Sequence, residues 1–334
     1  YRFADVLDTD RYLIDGEMTQ VLLGARELDL NETRSWESQH VAFTHGYGVA
    51  MASVSRVRGS GDPDFVIGDL PVSIDESMEV TLDRPQIYIG EGLGGYAVVG
   101  ASRDEVDFTD ENQETQSVRY ADIGGQAGVP MGSLLRKAAF ALRFTELEPL
   151  ISNFVTDESR IIYVRDVQER VKKLAPFLEF DADPYPVMVD GRLVYVVDGY
   201  TTTNRYPYSQ RAPVSDLSKE SGLRSDFNYV RNSVRAVVDA FDGTVTFYIV
   251  DDEDPIITAY QSAFSNLFTP VSEMPEELVA HMRYAEDLFR VQSELWGSYH
   301  VDNTENFYQR ASEWAVSQDP GRSGEGAADL VLVD

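Results

Sequence analysis

The sequence predicts an α+β fold in which β-hairpins dominate the first part of the chain and helices become frequent later. Asp-Gly pairs stand between short apolar runs, and such pairs favour hairpins because both turn positions adopt positive φ. Later in the chain, apolar residues recur at three- and four-residue spacing, which is typical of amphipathic helices. Apolar residues make up 43% of the chain and charged residues 25%, so the composition is that of an ordinary folded protein.

Three hairpins are predicted, each centred on an Asp-Gly pair. The pairs, with their flanking apolar runs, are Asp15-Gly16 (11–14 and 18–23), Asp190-Gly191 (187–189 and 193–197) and Asp242-Gly243 (236–241 and 244–250). The spacings between the hairpins are unequal and their flanking residues differ, so the sequence does not predict a repeat protein.

A further strand pair is predicted at residues 86–89 and 96–99, joined by a glycine-rich connection. From Glu105 to Ser117 the sequence is acidic and polar, which predicts an exposed loop.

Four helices are predicted from apolar spacing, capping residues and prolines. We expect Ser133 to cap the first helix, which ends at Pro149. Its apolar stripe comprises Leu134, Leu135, Ala138 and Leu142. The other three are expected at 166–175, from 255 through 264, and as one long helix from 272 through 295.

The chain has 334 residues, more than one hydrophobic core usually accommodates, so we predict two subdomains. The expected division is a β-rich subdomain at 1–128, an α+β subdomain with long C-terminal helices at 129–320, and a mobile tail at 321–334. The tail prediction follows from its glycine- and charge-rich composition.

The net charge of −29 arises from 57 Asp and Glu against 28 Lys and Arg. Nucleic-acid binding requires clustered basic residues that displace counterions, and the densest group here is Arg170 with Lys172 and Lys173. The sequence therefore predicts no nucleic-acid partner. An acidic surface indicates solubility or adaptation to salt and does not identify a ligand.

The chain has no cysteine, which excludes disulfides, zinc–thiolate sites and thiol nucleophiles within it. No stretch reaches the roughly 18 to 20 apolar residues that cross a bilayer. The sequence begins at Tyr1 on a strand-like pattern, so we expect this region to be part of a longer protein.

Several long motifs resemble a family of multi-spanning membrane proteins known mainly from actinobacteria and cyanobacteria. The motifs are 43–48 (FTHGYG), 175–178 (APFL), 181–185 (DADPY), 198–202 (DGYTT), 206–209 (YPYS), 228–234 (NYVRNSV), 239–245 (DAFDGTV) and 281–289 (HMRYAEDLF). The resemblance covers nearly the whole chain up to Trp314. It implies N-terminal membrane helices that precede this region, a cell-membrane location, and a large soluble part outside the cytoplasm. It implies no activity and no catalytic or binding residues.

The run from Gly90 to Gly95 has the spacing G-x-G-x-x-G, which in a dinucleotide-binding unit leads into a helix. Here a strand-like run follows, so the sequence favours a glycine-rich turn and predicts no cofactor. The four histidines lack the spacing of a zinc site, and no metal is predicted from them. His45 lies in an apolar setting, where a structural hydrogen bond is favoured over a role as general base.

Two acidic clusters, at 251–254 and at Asp181 with Asp183, offer oxygen ligands for Ca²⁺. Neither has the pattern of an EF-hand, and exposed acidic turns are favoured, although calcium binding stays an open alternative.

The segment from Asp198 to Ser209 is the strongest candidate binding site. It combines aromatic rings, hydroxyls, an amide and a guanidinium in one loop, a mixture that binds sugars or peptide ends. The candidate binding residues are Tyr200, Asn204, Arg205, Tyr206, Tyr208 and His45. The alternative interpretation is a loop anchored to the core by its tyrosines.

No nucleophile-elbow, S-x-x-K or phosphate-loop motif occurs, so no catalytic residue is predicted. The leading hypothesis is a non-catalytic binding or scaffold domain of the cell envelope with a glycan, lipid or protein partner. One alternative is an envelope hydrolase or transferase that uses Asp198, Asp239 or His45. Another is an accessory domain of a transporter.

Overall fold

A computed structural model describes residues 2–3, 7–28, 35–110, 112–215, 217–224, 226–311, 313–314 and 316. The tail predicted at 321–334 lies outside the described residues. The structure confirms the predicted α+β class, since helices accompany several antiparallel sheets.

The strands are short except for two of nine or more residues in each half of the chain. They are β1 (Arg2–Phe3), β2 (Asp8–Ile14), β3 (Glu17–Glu27), β4 (Gly46–Tyr47), β5 (Val49–Val57), β6 (Pro63–Gly68), β7 (Ser73–Ile74), β8 (Gln86–Ile87), β9 (Tyr96–Val99), β10 (Glu105–Thr109), β11 (Thr115–Val118), β12 (Val129–Pro130), β13 (Arg160–Tyr163), β14 (Glu179–Phe180), β15 (Tyr185–Val189), β16 (Arg192–Thr203), β17 (Tyr229–Asp239), β18 (Val245–Ile249) and β19 (Phe268–Pro270).

The helices are α1 (Leu134–Phe144), α2 (Glu148–Ile151), α3 (Val167–Leu174), α4 (Pro255–Ala263), α5 (Glu276–Ala280), α6 (Glu286–Tyr299) and α7 (Thr304–Gln309). A π-helical turn at Ser38–Ala42 and two 3₁₀ turns, Gly222–Arg224 and Val271–Glu273, complete the helical elements of the described residues. None of the described helices is long and apolar enough to cross a membrane.

The chain divides into two compact units. Unit 1 comprises Tyr1–Val171, Tyr185–Val196 and Val237–Val245, and unit 2 comprises Lys172–Pro184, Val197–Ala236 and Thr246–Asp334. Both units are thus built from segments that are separated in the sequence. A boundary near residue 128 stays a prediction.

Unit 1 contains a sheet in the order β1-β3-β5-β6-β7, with β2 also paired to β3. The β2–β3 hairpin turns at Asp15 and Gly16, whose φ values of 55° and 75° are those that an Asp-Gly turn favours. Alternate residues of β2 are buried, including Tyr12 and Ile14, so one face of this hairpin packs into the core.

The two other predicted hairpins are also present. β15 and β16 form the second one around Asp190 and Gly191, with φ of 51° and 69°. The third connects β17 to β18, where Gly243 has a positive φ of 70°. There the Gly243 N–H donates to the Asp239 carbonyl at 2.9 Å, which closes a longer turn.

The strand pair predicted from 86–89 and 96–99 is wrong. β8 pairs with β4, and β9 pairs with β13, so the two runs lie in different sheets. The N–H groups of Tyr88 and Ile89 both donate to the Ala240 carbonyl, at 2.8 and 2.9 Å, which directs the chain away from a tight hairpin. The loop predicted at 105–117 is also wrong, since β10 and β11 form a hairpin there and Glu105 is buried.

A second large sheet has the order β14-β16-β17-β18-β19, and its last pair is parallel. Helix α6 packs against it through a cluster of Tyr200, Leu223, Phe227, Leu288 and Val291. The predicted long helix from 272 to 295 is instead interrupted, and α6 starts only at Glu286.

The first predicted helix is present as α1, after Ser133 at the N-cap position, but Ser133 makes no side-chain capping bond. The face that packs inward carries Phe140, Ala141 and Phe144, within a cluster around Tyr96. The stripe that predicted the helix faces the opposite way: Leu134, Leu135 and Leu142 are 73%, 83% and 83% exposed.

Candidate functional site

The segment from Asn204 to Ser209 follows β16 in unit 2 and forms an exposed loop. The side-chain amide of Asn228 holds this loop in place. Its Oδ1 accepts a hydrogen bond from the Tyr206 N–H at 3.0 Å, and its Nδ2 donates to the carbonyls of Tyr206 and Ser209 at 2.8 and 3.2 Å. The Ser209 hydroxyl donates to the Asn228 carbonyl at 3.2 Å. The backbone of the loop is therefore fixed although its side chains are exposed.

Two tyrosines project from this fixed backbone. The Tyr206 ring stacks on Tyr229 with centroids 5.7 Å apart and planes at 19°, yet it remains 54% exposed. Tyr208 is fully exposed and has a φ of 58°, a conformation that is rare for bulky residues. An aromatic residue in this conformation without burial indicates that its position serves something other than the core.

The structure brings together four of the six predicted binding residues: Asn204, Arg205, Tyr206 and Tyr208 are consecutive or nearly so, and all are exposed. Tyr200 lies in the core of unit 2, where its hydroxyl donates to Asp181, so it cannot reach a ligand at the surface. His45 belongs to unit 1 and is buried. Sequence reasoning did not identify Asn228, because an Asn that clamps a loop about 20 residues away leaves no local pattern.

His45 is fully buried, with its Nδ1 3.0 Å from the Gly46 carbonyl oxygen and its Nε2 3.9 Å from an Asp107 carboxylate oxygen. Burial lowers the pKa of His45 to about 4, and the charge of Arg165 acts in the same direction. The imidazole is therefore neutral near pH 7. This geometry is that of a structural histidine.

A buried polar cluster in unit 1 surrounds Glu105. Its Oε2 accepts hydrogen bonds from the hydroxyls of Thr44 and Tyr88, the latter at 2.9 Å. Arg165 donates to the carbonyls of Tyr88 and Thr44 at 2.9 and 2.5 Å. Burial raises the pKa of Glu105 to about 7, so this carboxyl group gains or loses its proton near neutral pH.

The glycine-rich run at 90–95 encloses a carboxylate of the same chain. The N–H groups of Glu91 and Gly92 donate to the two Glu27 carboxylate oxygens, each at 2.7 Å, and the Tyr195 hydroxyl donates to Glu27 at 3.0 Å. A β-carbon on Gly90 would collide with this carboxylate, which explains the glycine. Strand β9 follows, so the run is not the phosphate-binding turn of a dinucleotide site.

Unit 2 contains two buried carboxylates, Asp181 and Asp287, and each accepts a hydrogen bond from a backbone N–H in the segment of the other. Asp181 accepts from the Asp287 N–H, and Asp287 accepts from the Ala182 N–H, both at 3.0 Å. Burial and the neighbouring charge of Asp287 raise the pKa of Asp181 to about 6. The pair joins the start of α6 to the segment after β14.

The other suspected catalytic carboxylates also take part in internal contacts. Asp198 is buried, forms an ion pair with Arg235, and accepts a hydrogen bond from Asn232 at 2.7 Å. Asp239 pairs with Arg192 and accepts from the N–H groups of Phe241 and Asp242 at 2.8 and 2.9 Å.

The prediction that the acidic run at 251–254 is an exposed turn is wrong for Asp254, which is fully buried and caps α4. Among the described residues, no group of three or more His, Asp or Glu side chains is arranged to hold a metal ion.

The whole-chain comparisons point to one family. A family model described as "Uncharacterised protein family (UPF0182)" matches residues 1–329. A UPF0182 protein of Methanospirillum hungatei is 40% identical to this chain over 320 residues, and one of Geobacter sulfurreducens is 42% identical over 319 residues. Each match covers 95% of this chain and 34% of the relative. One from Micrococcus luteus is 37% identical over 340 residues, 96% of this chain and 32% of the relative. The chain thus spans about a third of the length of these curated relatives.

The range of organisms corrects one expectation. Relatives from Methanospirillum hungatei and Geobacter sulfurreducens show that a restriction to actinobacteria and cyanobacteria is too narrow. No solved structure matches the chain.

Proposed function

The chain belongs to the uncharacterised protein family UPF0182, and from that premise we propose that it is a non-catalytic binding domain of the cell envelope. Its contact surface in this proposal is the exposed loop at 204–209. The observation that carries the proposal is the contrast between this loop and the ionisable clusters. The carboxylates of the clusters are engaged inside the fold, whereas the loop presents two tyrosines on a fixed backbone.

A pre-formed aromatic platform favours binding, because little conformational freedom remains to be lost when a ligand stacks on it. The Tyr206 ring is already held by Tyr229, and Asn228 fixes the backbone on both sides of Pro207. Exposed Arg205 and Asn204 supply hydrogen-bond donors beside the rings. Aromatic faces flanked by such donors match the chemistry of a sugar chain, and we propose an envelope glycan as the ligand.

The binding test uses purified peptidoglycan sacculi and the 334-residue chain in a co-sedimentation assay. Tyr206→Ala and Tyr208→Ala are each expected to weaken binding roughly tenfold, as for aromatic hot-spot residues. Tyr308→Ala is the matched control, because Tyr308 is 90% exposed and also lies in unit 2. Binding that survives both loop substitutions, or that the control reduces equally, would refute the glycan site.

The location is proposed separately. We propose that membrane spans elsewhere in the full-length protein hold this region outside the cytoplasm. A cysteine introduced at position 308 of the full-length protein is then expected to react with a membrane-impermeant maleimide in intact cells. The full-length protein without this cysteine gives the background labelling. Labelling that occurs only after lysis would place the region on the cytosolic side.

A further inference from the structure

Helix α1 in unit 1 has two apolar faces. Its inner face packs Phe140 and Phe144 into a cluster with Tyr96, and the Phe144 and Tyr96 rings stack with centroids 4.1 Å apart. This inner face packs the helix onto the core of the unit. The second face has no partner in the part of the chain that the structure describes.

The outer face is a continuous apolar strip. Successive residues of a helix turn by about 100°, so the exposed apolar residues of α1 fall within an arc of about 140°. These residues are Leu134, Leu135, Ala138, Ala139 and Leu142. Single exposed leucines are ordinary on protein surfaces, whereas an aligned group of three marks an interaction surface.

The charge of α1 is opposite to that of the chain. Its 11 residues include Arg136, Lys137 and Arg143 and no acidic residue, although the chain carries a net charge of −29. Arg136 and Arg143 are exposed and lie beside the apolar arc, and Arg136 also donates to the Pro130 carbonyl at 3.3 Å. Lys137 is half-buried and donates to the Val155 carbonyl at 3.1 Å. The helix is thus a basic, amphipathic element on an acidic protein.

The nearest acidic residue after the helix does not cancel this charge pattern. Glu146 accepts hydrogen bonds from the Tyr96 hydroxyl and from the Trp36 indole N–H, the latter at 3.2 Å, and these partners belong to the inner cluster. Arg136 and Arg143 are exposed at the edge of the leucine strip, and the Arg143 guanidinium also lies 5.1 Å from the centre of the Tyr163 ring.

We propose that α1 is a membrane-surface helix whose outer face binds the interface of an anionic phospholipid bilayer. Leu134, Leu135 and Leu142 would enter the boundary between headgroups and acyl chains, and Arg136 and Arg143 would pair with lipid phosphates. Leucines flanked by arginines are the pattern of helices that lie in a bilayer interface. A second copy fits less well, because two such faces would bring like charges together. This surface is separate from the tyrosine loop, so each can fail alone.

The absence of cysteine from the chain allows a direct test. Leu135→Cys is labelled with an environment-sensitive fluorophore and mixed with vesicles of phosphatidylcholine, with or without phosphatidylglycerol. A blue shift is expected only with phosphatidylglycerol. Val57→Cys is the matched control, because Val57 is 72% exposed in the same unit, and its label should not shift.

Vesicle co-sedimentation then separates the apolar and basic contributions. Leu142→Glu and the double change Arg136→Glu with Arg143→Glu are each expected to reduce binding at least tenfold, whereas Val57→Glu leaves it unchanged. These positions are exposed, so the melting temperature should be preserved and serves as a folding check. No blue shift with anionic vesicles, or a shift that depends on protein concentration without lipid, would overturn the proposal, the latter in favour of a second copy.

Discussion

Asp254 in unit 2 and Glu105 in unit 1 are both buried carboxylates, yet their surroundings shift their pKa values in opposite directions. Asp254 caps α4 and accepts hydrogen bonds from the hydroxyls of Thr201, Ser233 and Tyr229, with those from Ser233 and Tyr229 at 2.6 and 2.8 Å. The N–H of Ile256 donates at 3.0 Å. Burial raises the pKa of Asp254, but these donors outweigh it, and the net pKa is lowered.

Glu105 accepts side-chain hydrogen bonds from Thr44 and Tyr88, and burial prevails, so its pKa rises to about 7. The comparison shows that burial alone does not set the charge of a carboxylate. The number of hydrogen-bond donors that the fold directs at a buried carboxyl group decides whether that group is ionised or protonated. Three substitutions test this rule, in order of decreasing expected effect.

The largest effect is expected for Asp254→Asn. The amide keeps the size of the side chain but replaces one acceptor oxygen by a donor, which then faces hydroxyls and N–H groups. We expect the free energy of unfolding to fall by about 3 kcal/mol, as for other broken buried networks. Asp252→Asn is the control, because Asp252 is exposed two residues away and should change stability by less than about 0.5 kcal/mol. Equal stabilities of the two variants in urea unfolding would contradict the network's role.

Glu105→Gln is expected to act through pH. The folded-state pKa of about 7 exceeds the ordinary 4.5, so the folded state holds the proton longer and stability falls as pH rises from 4.5 to 7. Gln carries no proton and lacks this loss. The variant should therefore gain stability relative to the parent across this window, on the order of 2 kcal/mol above it.

The measurement for Glu105→Gln is the urea midpoint at about pH 5 and about pH 8, which bracket most of the titration. Glu114→Gln, an exposed change in the same β10–β11 hairpin, is the control. If the stability difference between the variant and the parent is the same at both pH values, Glu105 is ionised in the folded parent at both, which would contradict the raised pKa.

The smallest effect is expected for Tyr200→Phe, which removes one donor from Asp181. Because this hydrogen bond lowers the pKa of Asp181, its loss should raise that pKa above about 6 and cost about 1 kcal/mol. Carboxyl carbon chemical shifts followed through a pH titration measure the change. Tyr308→Phe, at an exposed hydroxyl, should leave the titration unaltered. An unmoved Asp181 titration in the Tyr200 variant would mean that the donor count does not control this pKa.

The sequence by itself determined the elements whose signals are local. Asp15-Gly16 and Asp190-Gly191 form the predicted turns because positive φ is a property of the two turn residues. Helices α1, α3 and α4 form near their predicted positions because apolar spacing and flanking prolines act within one element.

Only the tertiary structure decided which faces pack and which distant groups meet. The stripe of Leu134 and Leu142 predicted a helix, but the rings of Phe140 and Phe144 fit the core, and periodicity does not distinguish two apolar faces. Likewise, Glu27 fills the glycine-rich turn from 64 residues away, and no spacing rule encodes that meeting. Such contacts depend on how whole elements pack, and that information is distributed over the entire chain.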